Sequence, residues 1–190
     1  MGIDNIGMRR LLIDSEYLEE QNFYYGNGYT EEEIEVASFF RTASMALYKR
    51  RVGTYHAIKI SGTAVGDFQA FEHINRNAVH TVGGIRQYKE RFSAGAMPFD
   101  VTLDRNYRID HDADAGDYRP VVTDDLGNTL TYTMADSDTL TITSGGSILS
   151  SYVYVEYYGK YTMAIVETPG AKYNDVASET GWEISFEETG

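Results

Sequence analysis

Alternation of polar and apolar residues with a period of two dominates the second half of the chain and constrains its fold more than any other feature. Thr139, Thr141 and Thr143 alternate with Leu140 and Ile142, which predicts a strand with one buried and one exposed face. Three further segments show the same alternation: 130–134, 151–158 and 182–186. Threonine and tyrosine, which are frequent here, favour the pleated surface of a sheet.

Turn signals separate these segments. The run 124–128 contains Gly127, which can adopt the left-handed conformation that tight turns require. The pair Gly159–Lys160 has glycine first, as a two-residue type II′ turn needs. We therefore expect antiparallel hairpins that close as a sandwich or a barrel.

The first half contains one segment with helical periodicity. Thr30 is a good N-cap, and Glu33 follows at the distance of a capping box. The apolar stripe of this segment has three- and four-residue steps and consists of Val36, Phe40, Ala43 and Leu47. Basic residues 49–51 suit the negative end of a helix dipole, and Gly53 would end the helix. The pattern predicts one long helix over residues 30–51.

The expected fold class is therefore α+β, mostly β, with the long helix packed on the hairpins. Residues 1–29 contain a short apolar patch with Leu11 and Leu12, followed by an acidic stretch. A segment this short does not form a stable helix by itself in water. We expect a peripheral N-terminal arm over 1–29 and a single β-rich domain over 30–190.

Composition excludes several classes of function. The chain has 190 residues and no cysteine, which excludes disulfides, thiol catalysis and cysteine-bound metals. A net charge of −13 argues against tight binding of nucleic acid, because each phosphate contact needs a cation. No apolar run is long enough for a membrane-spanning helix, and the N-terminus lacks the pattern of a signal peptide. We expect no membrane partner and a protein made in the cytoplasm.

An acidic loop is the strongest metal candidate. Its candidate calcium ligands are Asp110, Asp112, Asp114 and Asp117. The first three resemble the first, third and fifth positions of an EF-hand calcium loop, whose oxygen ligands suit Ca²⁺. Ala115 and Val121 stand where that loop has glycine and the bidentate glutamate. The alternative is an exposed turn that uses aspartate for its backbone geometry and binds no cofactor.

The sequence contains no recognisable catalytic motif. His73 and His80 are seven residues apart, with Glu72 beside the first, and this spacing is not that of a metal-binding helix. No nucleophile elbow and no phosphate-binding loop is present in the sequence. We expect a protein that is not an enzyme.

Aromatic residues crowd the segment 151–161. Both faces of this predicted strand are large and apolar or aromatic, so it is either central to a sheet or covered by a partner. Tyrosine is also favoured at protein interfaces. The interface candidates are Tyr152, Tyr154, Tyr157, Tyr158, Tyr161, Trp182, Phe186, Leu11 and Leu12.

These features together favour a structural subunit that assembles with copies of itself and with other assembly proteins. The last strand, 182–186, is expected to pair with a neighbour. In composition and layout the chain resembles neck, tail and decoration proteins of tailed-bacteriophage virions, which implies a virion component assembled in the host cytoplasm. The alternative is a carbohydrate-binding β-module with calcium at 110–117.

Overall fold

Regular structure in this chain consists of antiparallel β-strands. The computed structural model describes residues 10–17, 28–41, 47–65, 74–75, 77–112, 116–145, 151–167, 172–174 and 179–189. Within these ranges the strands are β1 (Leu12–Ile13), β2 (Glu16–Tyr17), β3 (Gly28–Arg41), β4 (Leu47–Val65), β5 (Val79–Ser93), β6 (Phe99–Thr102), β7 (His111–Asp112), β8 (Gly116–Asp117), β9 (Val121–Asp124), β10 (Leu130–Met134), β11 (Thr139–Gly145), β12 (Tyr152–Glu167), β13 (Lys172–Asn174) and β14 (Glu179–Glu188).

The expectation of a long helix over 30–51 is wrong, although the β-rich character of the chain is confirmed. Strand β3 occupies most of that segment and pairs antiparallel with β4, which sets Ile34 opposite Tyr55 and Val36 opposite Gly53. Val36 and Phe40 are four residues apart, a spacing that fits one face of a strand as well as one stripe of a helix. Pairing with β4 decided between these two structures.

The chain divides into two compact units, and the boundaries fall inside three strands. Unit 1 comprises residues 1–12 and 83–160, and unit 2 comprises residues 13–82 and 161–190. Strands β1, β5 and β12 therefore each contribute to both units. The predicted N-terminal arm stays a prediction, because 1–9 and 18–27 lie outside the described residues.

Unit 2 is built on a sheet in which β14 lies between β4 and the second half of β12. β3 flanks β4 on its other side, and β13 pairs with the start of β14. Side chains of the central strands form the buried interior of this unit: Ile58, Ile60, Met163, Ile184 and Phe186. Their neighbours along each strand are half-buried or exposed, which is the period of two expected for a strand with one covered face.

Unit 1 contains a three-stranded sheet in the order β10–β11–β6, and the first half of β12 pairs with β5 and β9. One core joins both groups of strands, consisting of Val101, Leu103, Tyr107, Val122, Leu130, Leu140, Ile142, Val153, Val155 and Tyr157. The inward residues of β11, Leu140 and Ile142, are those that the sequence alternation indicated. Two layers of strands thus pack face to face in this unit.

The predicted turn at 124–128 is confirmed. Asp124 is buried, and its carboxylate accepts hydrogen bonds from the backbone N–H groups of Leu126 and Asn128 at 2.9 and 2.8 Å. Gly127 has a φ of 83°, which glycine adopts without steric cost. The turn leads from β9, which pairs with β12, to β10, which pairs with β11.

The predicted turn at Gly159–Lys160 is wrong, because β12 continues through it from Tyr152 to Glu167. Gly159 forms a bridge with Tyr107, and the backbone N–H of Lys160 donates to the carbonyl of Asn106. Glycine here marks close approach of another backbone segment.

The described residues include no helix long and apolar enough to cross a membrane.

Candidate interaction surfaces

Strands β3 and β4 continue past the rest of their sheet as a two-stranded ribbon. β14 pairs with β4 from Val65 to Ala57, whereas β3 pairs with β4 as far as Arg41. Within the described residues, segments 34–41 and 47–55 therefore have each other as their strand neighbours. These two segments are called the ribbon below.

The ribbon exposes apolar side chains. Val36 is 42% exposed, Phe39 63% and Leu47 59%. An isolated two-stranded hairpin is only marginally stable in water, and three or more strands or a packed partner are normally needed. A ribbon of this length with uncovered apolar groups is therefore a surface that association with another protein would stabilise.

Charge is distributed unevenly along the ribbon and the part of β3 that leads into it. The acidic residues lie within the run 31–35 of β3: Glu31, Glu32, Glu33 and Glu35. The cations lie near the far end of the ribbon: Arg41, Lys49, Arg50 and Arg51. Lys49 donates to the carboxylate of Glu35, and both side chains are well exposed. On a chain with a net charge of −13, this far end is a local concentration of positive charge.

Hydrogen bonds and ring stacking fix the base of the ribbon within unit 2. The buried carboxylate of Glu31 accepts hydrogen bonds from the hydroxyl groups of Tyr161, at 2.5 Å, and Tyr29. The ring of His56 stacks on Tyr161 with their centroids 5.0 Å apart, and its backbone N–H donates to Glu188 at 3.1 Å. These contacts fix β3 and β4 to the rest of unit 2 just before the ribbon begins.

A second surface lies on unit 1, where outward side chains of β5 and β12 meet. Cζ of Arg91 lies 4.7 Å from the ring centroid of Tyr152, and Nζ of Lys89 lies 5.2 Å from that of Tyr154. Lys89 also pairs with Glu156 at 2.6 Å. Each cation is attracted to the electron-rich face of its ring. These five residues, called the tyrosine–cation face, order each other's long side chains.

The structure distributes the predicted interface residues between the core and the surface. Those buried inside the chain are Leu11, Leu12, Tyr157, Tyr158, Tyr161 and Phe186. Tyr152 is 39% exposed and Tyr154 is half-buried, and both lie on the tyrosine–cation face. The backbone of Trp182 pairs with Gly62, and its side chain lies outside the described residues.

Strand β14, which contains the segment expected to pair with a neighbouring molecule, lies inside its sheet. Residues Glu179–Glu187 pair with β4, and Ser185–Glu188 pair with β12 on the other side. Among the described residues the sheet ends in β2, a strand of two residues, on one side and in β3 on the other. An edge available for pairing thus lies in the segment for which the sequence predicted a helix.

Two of the four predicted calcium ligands, Asp110 and Asp117, form ion pairs with arginines. Asp110 accepts from Nε and Nη2 of Arg108 at 3.0 and 2.6 Å. The hydrogen bond from Arg119 lowers the pKa of Asp117, outweighing the opposing effect of burial. The side chains of residues 112 and 114 lie outside the described residues, and within the described part no group of three His, Asp or Glu side chains could hold a metal ion. Calcium at this loop stays a prediction.

A fully buried arginine organises unit 1. Besides Asp110, Arg108 faces backbone carbonyl oxygens, which accept from Nη1: those of Arg10 at 2.9 Å, Gly83 at 3.1 Å and Gly84 at 2.7 Å. These bonds fasten the segment that contains Arg10 to β5. Because charge-assisted bonds are strong and a buried cation needs partners, this cluster is a structural centre.

A buried histidine has a comparable role in unit 2. Nδ1 of His80 lies 2.5 Å from Oδ2 of Asp14, and Nε2 lies 2.8 Å from the carbonyl oxygen of Asn75. Asp14 also accepts from the backbone N–H of Thr81 at 2.8 Å and has a φ of 50°. Burial opposes ionisation of Asp14, but the hydrogen bonds from His80 and Thr81 outweigh it and lower its pKa.

Sequence reasoning missed the cations of the tyrosine–cation face and the buried Arg108. Gln87, Lys89 and Arg91 alternate with Tyr88, Glu90 and Phe92, and the two aromatic residues on the other face give a partial period of two that could have identified an exposed strand face. Nothing local distinguishes Arg108, because its carbonyl partners come from residue 10 and from β5.

Comparison of the chain with protein-family models, with curated proteins and with solved structures finds no match. The surfaces described above therefore carry the functional interpretation through their own geometry. The ribbon is the more informative of the two surfaces, because it exposes apolar side chains on a sheet extension of only two strands. On the tyrosine–cation face, by contrast, Lys89 already pairs with Glu156.

Proposed function

We propose that the protein is a non-enzymatic structural subunit that assembles with copies of itself through contacts between proteins. The ribbon carries this proposal. It is a two-stranded extension of the sheet whose Val36, Phe39 and Leu47 side chains are 42–63% exposed. Covering these groups removes apolar surface from water, which stabilises the assembly by roughly 25 cal/mol for each Å² buried.

The acidic character of the chain is compatible with such a subunit. A net charge of −13 keeps separate subunits soluble through mutual repulsion, and short-range contacts at the ribbon provide the attraction. Within this class of protein we propose a virion component of a tailed bacteriophage, at the neck, in the tail or as a decoration protein. An acidic surface would repel the phosphates of DNA that passes through such an assembly.

Native mass spectrometry and light scattering after size exclusion test the proposal. We expect the full chain to form oligomers whose mass rises with concentration. The double variant Phe39→Ser/Leu47→Ser should be monomeric at the concentrations at which the wild type is oligomeric. The matched control is Leu126→Ser, which removes a side chain that is 65% exposed at the turn between β9 and β10. A wild-type chain that stays monomeric at every concentration would contradict the proposal.

A further inference from the structure

Strand β3 offers an open edge to another strand. All of Gly28–Arg41 pairs with β4 on one side, and among the described residues β3 is the last strand of its sheet. The outer edge of such a strand presents alternate N–H and C=O groups that another strand can pair with. An edge this long that carries exposed apolar side chains favours strand addition.

The two ends of β3 differ in charge. Four glutamates lie within the run 31–35, and the end of the strand reads Ala-Ser-Phe-Phe-Arg from Ala37 to Arg41. If two copies of β3 paired in parallel, glutamates of one copy would lie beside glutamates of the other. Antiparallel pairing brings the acidic half of each copy beside the apolar and basic half of the other, which removes the repulsion.

We propose that β3 pairs antiparallel with β3 of a second copy of this chain, about a two-fold axis at Ala37. This inference rests on the proposed self-assembly and specifies its geometry. Glu33 then lies opposite Arg41 of the second copy, and Glu35 lies opposite its Phe39. Residues of β3 with the same parity share one face, so each opposed pair meets on the same side of the extended sheet.

Pairing of this kind explains two features of the ribbon together. Two ribbons joined at their β3 edges form a four-stranded sheet, which meets the minimum that a sheet needs for stability. Phe39 of each copy comes beside Ala37 and Glu35 of the other, so part of its exposed ring is covered. A two-fold contact uses the same patch on both copies and closes on itself.

Charge reversal at the opposed pair gives a specific test. Arg41→Glu alone places glutamate opposite Glu33, and Glu33→Arg alone places arginine opposite Arg41. Each single variant should weaken the dimer by about tenfold or more, as two like-charged pairs replace two opposite ones. An equimolar mixture of the two variants should form heterodimers with wild-type affinity, since both opposed pairs are then of opposite charge.

Sedimentation and native mass spectrometry, which separates the two variants by mass, measure these species, and circular dichroism checks that each variant is folded. The control is Lys89→Glu, which changes the net charge as Arg41→Glu does, on the tyrosine–cation face, and should leave the dimer unchanged. If the mixture associates no better than each variant alone while the wild type still forms oligomers, the antiparallel pairing is overturned and self-assembly stands. If the wild type is a monomer, both proposals fail.

Discussion

Cζ of Arg108 lies 3.5 Å from the ring centroid of Tyr118, and both side chains are fully buried in unit 1. The Tyr118 hydroxyl group donates to the carbonyl of Arg10 at 3.2 Å and accepts from its backbone N–H at 2.5 Å. Both side chains thus donate to the carbonyl oxygen of Arg10. This arrangement makes the position of Arg10 depend on a residue nearly a hundred positions later in the chain.

Replacement of Arg108 by methionine tests the contribution of this cluster. The change keeps most of the side-chain volume but leaves Asp110 and three carbonyl groups without their donor, so we expect the free energy of unfolding to fall by about 3–5 kcal/mol. Arg108→Lys should also destabilise, because an ammonium group cannot reproduce the planar fork that pairs with a carboxylate. Urea denaturation measures both variants.

The control for this prediction is Arg119→Met. Arg119 pairs with Asp117 on the surface, where ion pairs contribute little to stability. Its loss should leave the denaturation midpoint near that of the wild type. Equal effects at Arg108 and Arg119 would contradict the assignment of Arg108 as a structural centre.

Gly83 is required for the approach of Arg108 to β5. A Cβ atom at this position would lie 2.8 Å from Nε and 2.9 Å from Cδ of Arg108, and 3.0 Å from Cβ of Leu12. Gly83→Ala should therefore reduce the free energy of unfolding by about 1–3 kcal/mol, as overpacking of a core does. Gly53→Ala is the matched control, because an added Cβ there meets nothing within 4 Å. A Gly83→Ala variant as stable as the wild type would show that Arg108 can move aside.

Local alternation predicted the strands around Thr139–Ile142 and the turn at Gly127, because both depend on neighbours a few residues apart. The segment 30–51 failed for the same reason. Its residues satisfy both helix capping and the spacing of a strand face, and the pairing with β4 that decides the outcome is not encoded in local propensity.

The candidate surfaces were predictable only in part. Tyr152 and Tyr154 were identified as interface residues and do lie on an exposed face, whereas Tyr157 and Tyr161 in the same segment are buried. Alternation places these residues on opposite faces of one strand, but it does not reveal which face the core covers. The exposed edge of β3 depends on the order of strands in the sheet, which periodicity does not contain.

The pair formed by Asp14 and His80 should make stability depend on pH in the acidic range. The pKa of Asp14 is lowered from its ordinary value of 3.8. At pH values near 3.8 the folded chain therefore keeps this carboxylate ionised, whereas the unfolded chain binds a proton there. The stabilisation is complete above about pH 5 and is lost as the pH falls below 4 toward the pKa of the folded state.

Denaturation of the wild type and of Asp14→Asn from neutral pH to about pH 3 measures this effect. Asparagine tolerates the left-handed conformation that Asp14 adopts, so the variant removes the charge and keeps the backbone. We expect the stability of the variant to be lower at neutral pH and to fall less steeply on acidification. Parallel curves for the two proteins would show that this carboxylate contributes nothing to the acid dependence.

Tyr157 should have the opposite effect at alkaline pH. Burial, and then the hydrogen bond that its hydroxyl group donates to Glu90, raise its pKa well above the ordinary value of 10.0. Above about pH 10 the unfolded chain releases this proton and the folded chain keeps it, so stability falls as the pH rises. Burial also raises the pKa of Tyr107 and Tyr132, which leaves part of this slope in any single variant.

Tyr157→Phe isolates the contribution of this hydroxyl group. At neutral pH the variant should lose about 1–3 kcal/mol, because Glu90 loses a hydrogen-bond donor, and above pH 10 its stability should fall less steeply than that of the wild type. Chemical denaturation at a series of pH values measures both effects, with Tyr152→Phe as the control for loss of an exposed phenol. If stability falls above about pH 10 as steeply in Tyr157→Phe as in the wild type, the folded chain releases this proton as readily as the unfolded chain. The raised pKa assigned to Tyr157 would then be wrong.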